Sequence, residues 1–295
     1  MYMYINEQII EEKKASISPF DHGFLYGLGL FETFRVYRGH PFLLDDHLAR
    51  LNAGLEQIGI SSFYKREDIL PLLARLLSAN RLENAYIRLN VSAGPHEVGL
   101  RLEPYESPNL LIFVKPLGDA PELTEKTAVS LNLRRNTPEG EGRLKSHHYL
   151  NNVLAKKEIG DAPGTEGVFL TEEGFLAEGV VSNLFWLKSG TLYTPSLETG
   201  ILNGITRQFV MKLAECSGFK IETGFYRTGD ISGVEEVFLT NSIQEIVAVR
   251  SFFGTGMPGR NGQAVKRLHE QYALFRESLW SRSELSLEDG MNGWN

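Results

Sequence analysis

Apolar residues along this chain follow two rhythms, one of period two and one of period three to four. Positions 3–6 and 9–10 read as a small hairpin, and 31–37, rich in aromatic and β-branched residues, reads as a strand. Leu48, Leu51, Leu55 and Ile58 repeat at helical spacing, which predicts a helix over 45–58 with Asp45 as its N-cap. Ile69, Leu72, Leu73, Leu76 and Leu77 predict a second helix over 67–79. The most legible strand covers 85–92. Ala85, Ile87, Leu89 and Val91 point one way, and Tyr86, Arg88, Asn90 and Ser92 the other. That polar side either meets water or lines a cleft. A further strand is expected over 110–115.

Pro, Gly and Asp concentrate over 115–121, which marks a linker. The expected division is a smaller N-terminal α/β domain over 1–117, a linker over 118–124 and a larger domain over 125–295. In the larger one, a strand is expected over 129–135, a polar loop over 136–143 and a helix over 146–159. Strands follow over 169–171, 180–187 and 191–194, then a helix over 204–216. Strands over 219–226, 237–240 and 246–250 precede a long helix over 263–282 and a polar, frayed tail after Ser283. Strands and helices mix in both halves, which points to α/β or α+β rather than a regular doubly wound sheet.

Composition narrows the chemistry. The 295 residues carry 30 Lys+Arg against 37 Asp+Glu, a net charge of −7, which argues against nucleic acid as the main partner. The single cysteine, Cys216, excludes an intrachain disulfide and a cysteine-based zinc site. Met1 to Glu7 show no basic region followed by an apolar run. No stretch approaches the ~18 apolar residues of a membrane span. A cytoplasmic enzyme with no membrane and no metal is the expectation. Gly27-Leu28-Gly29 falls short of a dinucleotide fingerprint, because position 32 is Glu. No Walker loop and no Gly-x-Ser-x-Gly elbow occur, and His147-His148 are neighbours about 100° apart on a helix, a poor metal pair.

Three features of the second half survive. Lys145 stands between a Gly-containing loop and an expected helix start, where the helix field disfavours an ammonium and helps free a nucleophilic amine. Glu178 stands at the start of a very apolar strand, where a carboxylate needs a cation or a protonated nitrogen. Gly200 to Arg207 open a helix with small and hydroxyl residues, a setting for a phosphate. Each alone has an ordinary explanation: a surface lysine, a solvated glutamate, an Asn203 N-cap. Together, an amine, a buried carboxylate and a phosphate cradle are what pyridoxal 5′-phosphate requires.

These residues resemble the fold-type IV pyridoxal-phosphate enzymes, which include branched-chain aminotransferases, D-amino-acid aminotransferases and aminodeoxychorismate lyases. The resemblance runs through Asp21-His22-Gly23, Phe31-Glu32-Thr33, Asp46-His47-Leu48-Ala49-Arg50-Leu51, Tyr86-Ile87-Arg88, the Lys145, Glu178 and Gly204 segments, and Thr240-Asn241-Ser242. It implies two domains with the cofactor in the interdomain cleft, and a homodimer in which a partner loop helps close the site. It implies that Lys145 is the Schiff-base lysine and proton shuttle, and that Glu178 pairs with the pyridine nitrogen. Arg50, Ile205, Thr206 and Ser242 match the phosphate site, and Tyr149 and Asn183 lie close to the cofactor.

The branched-chain enzymes read Phe-Glu-Gly where this chain has Phe31-Glu32-Thr33. The D-amino-acid enzymes have a tyrosine at Phe31 and an Arg-x-His trap at Val98-Gly99-Leu100. The stretch from Arg134-Arg135 to Asn151-Asn152 is similar to that of the Bacillus-type aminodeoxychorismate lyases, so a lyase acting on a small anionic substrate is expected. An aminotransferase is the alternative, and a cofactor-free binding protein a remoter one. In the lyase reading Thr33 donates a proton to the leaving group. Phe31, Tyr86 and Arg88 are the substrate-side residues, with Arg88 for a carboxylate.

Overall fold

The computed structural model describes residues 1–286. The chain forms two compact units, both of mixed α/β composition. Among the described residues, the first holds 1–120 together with 144–148 and 277–281; the second holds 121–143, 149–276 and 282–286. Neither unit is one continuous run of sequence, in contrast to the linear division expected from the linker.

In the first unit the order is β1 (Tyr2–Ile5), β2 (Gln8–Glu11), α1 (His22–Leu25), β3 (Gly29–Tyr37), β4 (His40–Pro41), α2 (Leu44–Gln57), α3 (Arg66–Asn80), β5 (Ala85–Ser92) and β6 (Asn109–Pro116). The six strands form an antiparallel sheet in the order β2-β1-β6-β5-β3-β4. Its strand alternation sorts the side chains. Leu30, Phe34, Val36, Ile87, Leu89 and Val91 join Leu44, Leu48, Leu51 and Leu55 of α2 and Ile69, Leu73 and Leu76 of α3 in one core. Each such burial stabilises by about 1.5–3 kcal/mol relative to exposure. The opposite face of β3 and β5 carries Phe31, Thr33, Tyr86, Arg88 and Asn90, paired Phe31 to Asn90 and Thr33 to Arg88.

Helix α2 starts one residue before its expected N-cap. Leu43 precedes it in the left-handed region at φ 55°, and the Asp45 carboxylate instead takes the Arg66 guanidinium. The larger departure lies at 144–148. The helix expected from Ser146 begins only at Leu150, because the chain before it serves as an edge strand on β3. Phe31 N donates to Lys145 O at 2.9 Å and His147 N to Gly29 O at 3.0 Å, so Leu30 faces Ser146.

The second unit runs β7 (Thr124–Ser130), α4 (Leu150–Ile159), β8 (Thr165–Leu170), β9 (Leu176–Gly179), β10 (Asn183–Lys188), β11 (Thr191–Pro195), α5 (Ile205–Cys216), β12 (Lys220–Gly224), β13 (Glu236–Asn241), β14 (Glu245–Phe252), β15 (Thr255–Gly256) and α6 (Gln263–Phe275). Its sheet runs β12-β11-β10-β13-β14-β7-β8-β9, with β15 against β14. Three of its joints are parallel, β11 to β12, β14 to β7 and β7 to β8.

Strand β7 ends earlier than its apolar pattern suggests. The Asn132 and Leu133 amides turn to the Glu158 carboxylate at 2.6 and 3.0 Å, which stops the ladder. The strand expected over 180–187 starts only at Asn183, because 180–182 form the turn that joins β9 to β10. Buried Glu166 ties that turn, accepting from Val181 N and Ser182 Oγ. Helix α6 stops at Phe275, short of the expected 282, and Arg276 bonds Glu245 at 3.1 and 3.2 Å. Residues 277–281 join the first unit, where Leu279 O accepts from Leu43 N. Of the tail expected to fray, Arg282–Glu284 make a short turn and Leu285 is buried; its last residues lie outside the described ones.

Candidate active site

The first unit gathers Phe31, Thr33, Tyr86, Arg88 and Lys145 on one sheet face. Lys145 faces Phe31 across the edge pairing, and its Nζ sits 4.5 Å from the Phe31 ring centroid. The Arg88 guanidinium lies over the same ring at 3.6 Å. Two cations thus share one buried aromatic, a favourable contact for each and a repulsive one between them. Tyr86 follows on the same strand face. Its hydroxyl is raised above the ordinary value by burial, with Arg88 pulling the other way. The helix field invoked for Lys145 is not what surrounds it. Helix α4 starts five residues later, beyond the one-turn reach of a helix terminus.

Arg50 comes from α2 and meets the core-facing side of β3. Its Nε and Nη2 each donate to Glu32, both at 2.7 Å. His47 Nδ1 is 2.6 Å from the same carboxylate. Burial alone would push Glu32 up, but Arg50 and His47 bring it down to about 2. His47 is itself lowered, chiefly by burial.

The second unit gathers Glu178, Asn183, Ile205, Thr206 and Ser242. Glu178 is the third residue of β9 and is buried. Its Oε1 accepts from Arg135 Nε at 2.9 Å, and its Oε2 from Leu202 N at 3.0 Å and Asn183 Nδ2 at 3.4 Å. The buried carboxylate therefore has an arginine as charge partner within the chain, which the sequence reading missed. Arg135 lies 43 positions from Glu178, so the sequence carried no local signal of this pairing. Arg143 stands 3.8 Å from Glu178 and is lowered to about 10, mainly by burial and then by Arg135.

Helix α5 opens on Gly204, which provides no side-chain cap. Among the described residues, the Ile205 and Thr206 amides donate to no protein acceptor. Thr206 Oγ1 and Ser242 Oγ lie 3.1 Å apart beside them. Gly204 is required by crowding, since a Cβ there would overlap Asn183 Oδ1. Asn183 Nδ2 in turn holds Leu202 O at 2.9 Å. Tyr149 precedes α4 and is exposed.

Comparison with known proteins gives these groups a family. The model of amino-transferase class IV matches residues 29–252, a span that includes Phe31, Lys145, Glu178, Thr206 and Ser242. The chain belongs to that family. This class IV chain is 45% identical to the aminodeoxychorismate lyase of Bacillus subtilis, over 92% of its own length and 93% of the relative's. Its fold is similar to that of the branched-chain aminotransferase of Thermoproteus uzoniensis, with a TM-score of 0.84 at 26% identity, covering 95% and 97% of the two chains. It is also similar to the Escherichia coli branched-chain aminotransferase, with a TM-score of 0.83 at 26% identity, covering 94% and 96%.

Pyridoxal 5′-phosphate is the cofactor of this class IV chain. The residues fit it. A helix start with unspent amides, two hydroxyls and no side-chain cap suits a phosphate dianion. Glu178 has about four acceptor sites and gives three to Arg135, Leu202 and Asn183, leaving room for one more donor such as a protonated ring nitrogen. Among the described residues no His, Cys, Asp and Glu group is arranged to hold a metal ion, and no helix is long and apolar enough to cross a membrane.

Proposed function

We propose that this chain is a 4-amino-4-deoxychorismate lyase, forming 4-aminobenzoate and pyruvate on the way to folate, and that it works in the cytoplasm as a homodimer. The observation that carries the reading is the shared sheet face of Lys145, Thr33 and Arg88: an amine, a hydroxyl and a guanidinium in adjoining registers. The likeness to the Bacillus subtilis enzyme supports the lyase over a transferase. Exposed apolar side chains at Phe24, Leu100 and Leu102 support a second copy.

The phosphate is assigned to the Ile205 and Thr206 amides, the Thr206 and Ser242 hydroxyls and Arg50. Glu178 keeps a proton on the ring nitrogen, and Asn183 orients Glu178. Tyr149 completes the cofactor contacts. When bound, pyridoxal phosphate supplies an electron-accepting ring. Lys145 would be the residue that holds the ring covalently, and its Nζ would be the base that takes the proton from the amine-bearing carbon of the substrate. Thr33 hands a proton to the departing enolpyruvyl oxygen. Arg88 holds a substrate carboxylate, and Phe31 and Tyr86 pack the ring. Loss of enolpyruvate leaves an aromatic ring, so atoms balance with no second substrate.

The test is pyruvate release from aminodeoxychorismate with no amino acceptor present. The aminotransferase alternative is favoured by the two structural neighbours and requires a 2-oxo acid. Steady turnover of leucine or D-alanine with 2-oxoglutarate, and none of aminodeoxychorismate, overturns the lyase reading. A colourless purified protein overturns both.

A further inference from the structure

Beside Lys145, the first unit carries a hydrogen-bonded chain made of Arg88, Asn90 and His147. Arg88 donates to Asn90 Oδ1 from Nε at 3.4 Å and from Nη2 at 3.3 Å. His147 Nε2 stands 3.1 Å from the same oxygen. An amide oxygen only accepts, so Nε2 carries the imidazole proton. The register explains the meeting. Asn90 faces Phe31 on β5, and His147 faces Gly29 on the edge strand, two residues on from Lys145 and on its side.

The backbone makes room for this ring: a Cβ at Gly29 would overlap His147 Cε1. Burial, followed by repulsion from Arg88, takes His147 down to about 4. At neutral pH the ring is therefore uncharged, and it adds no third cation to a face holding Arg88 and Lys145. A guanidinium resting on an aromatic ring is free to slide and turn in its own plane. Bonds in that plane limit both motions, and Asn90 makes two of them.

Resting on the lyase reading above, we propose that Asn90 and His147 are positioning residues that fix the Arg88 guanidinium for the substrate carboxylate. Asn90 holds the fork, and His147 holds Asn90. Their removal leaves the Lys145 chemistry in place and weakens carboxylate capture.

The experiment measures KM and kcat for aminodeoxychorismate, and Kd for 4-aminobenzoate by calorimetry. The proteins are wild type, R88A, N90A, H147L and the R88A/N90A double variant. N90A and H147L are expected to raise KM and Kd on the order of tenfold, with kcat within about threefold of wild type. With Arg88 already removed, N90A adds less than about twofold. An unchanged KM and Kd in N90A, or full additivity with R88A, overturns the proposal. Should N90A fail to fold, N90S carries the same comparison.

Nitrogen NMR of His147 gives a readout independent of turnover. The wild-type ring is expected to keep its Nε2 proton and stay neutral down to about pH 4, and to lose that tautomer preference in N90A. A wild-type ring that titrates at the ordinary histidine value overturns the proposal. Absence of pyruvate release by wild type counts against the lyase reading alone, and the His147 titration then decides the Asn90 hold.

Discussion

Glu32 receives both the Nε and the Nη2 of Arg50 at 2.7 Å while only 1% exposed. A planar fork on a planar carboxylate fixes the arginine's direction as well as its charge. Strand alternation puts Glu32 on the helix side of β3, while its neighbours Phe31 and Thr33 face the other way. One strand therefore serves two purposes in consecutive residues.

That pair sets an acid limb of stability. The folded carboxyl is held at about 2 against an ordinary 4.5. Its contribution is complete above pH 4.5 and is lost as the pH falls toward 2, an effect on the order of 3 kcal/mol. Urea unfolding followed from pH 6 to 2 should show this loss in the wild type. E32Q should lack that limb and be less stable at pH 6, because Arg50 and His47 lose their charged partner.

Lys145 is expected to be indispensable. K145A should lower pyruvate release on the order of a thousandfold or more, and should lose the absorbance of covalently held cofactor. A variant that retains both properties would remove Lys145 from the reaction.

Thr33 has a narrower task. T33A should reduce kcat on the order of a hundredfold while leaving cofactor absorbance and the melting temperature nearly unchanged. Stopped-flow spectra on mixing with substrate would show normal binding followed by slow product formation.

Gly204→Ala should loosen the phosphate site by pushing Asn183 away from Leu202 and Glu178. Cofactor dissociation, followed by dialysis and absorbance, should rise on the order of tenfold. An unchanged dissociation rate in G204A would show that crowding against Asn183 is not the reason for glycine there.

Much of the first unit could be read directly from the chain. Strand β5 occupies 85–92 as its alternation predicts, because one face meets the core and the other does not. The same alternation exposed Tyr86 and Arg88 as a polar face. Lys145 was legible as a residue but not in its setting. A stretch such as Lys145-Ser146-His147 has no strong local preference, and its extended form comes from the open edge of β3. Glu178 was read as short of a cation, since Arg135 lies 43 positions away in sequence and only folding brings it near. Asn90 was legible only as part of a polar strand face and His147 only as half of a poor metal pair; the bond between them comes from the fold.

The path of the chain through its two units carries a consequence for protein dissection. The lysine segment 144–148 and the strap 277–281 belong to the first unit, although long stretches of the second precede or separate them. A fragment cut at Ala120 would carry an open β3 edge in place of the Lys145 pairing, and Leu43 and Asp45 would lose the carbonyls of Leu279 and Trp280. Neither unit is a transferable cassette: shuffling one against a relative's counterpart requires exchanging three separate stretches at once.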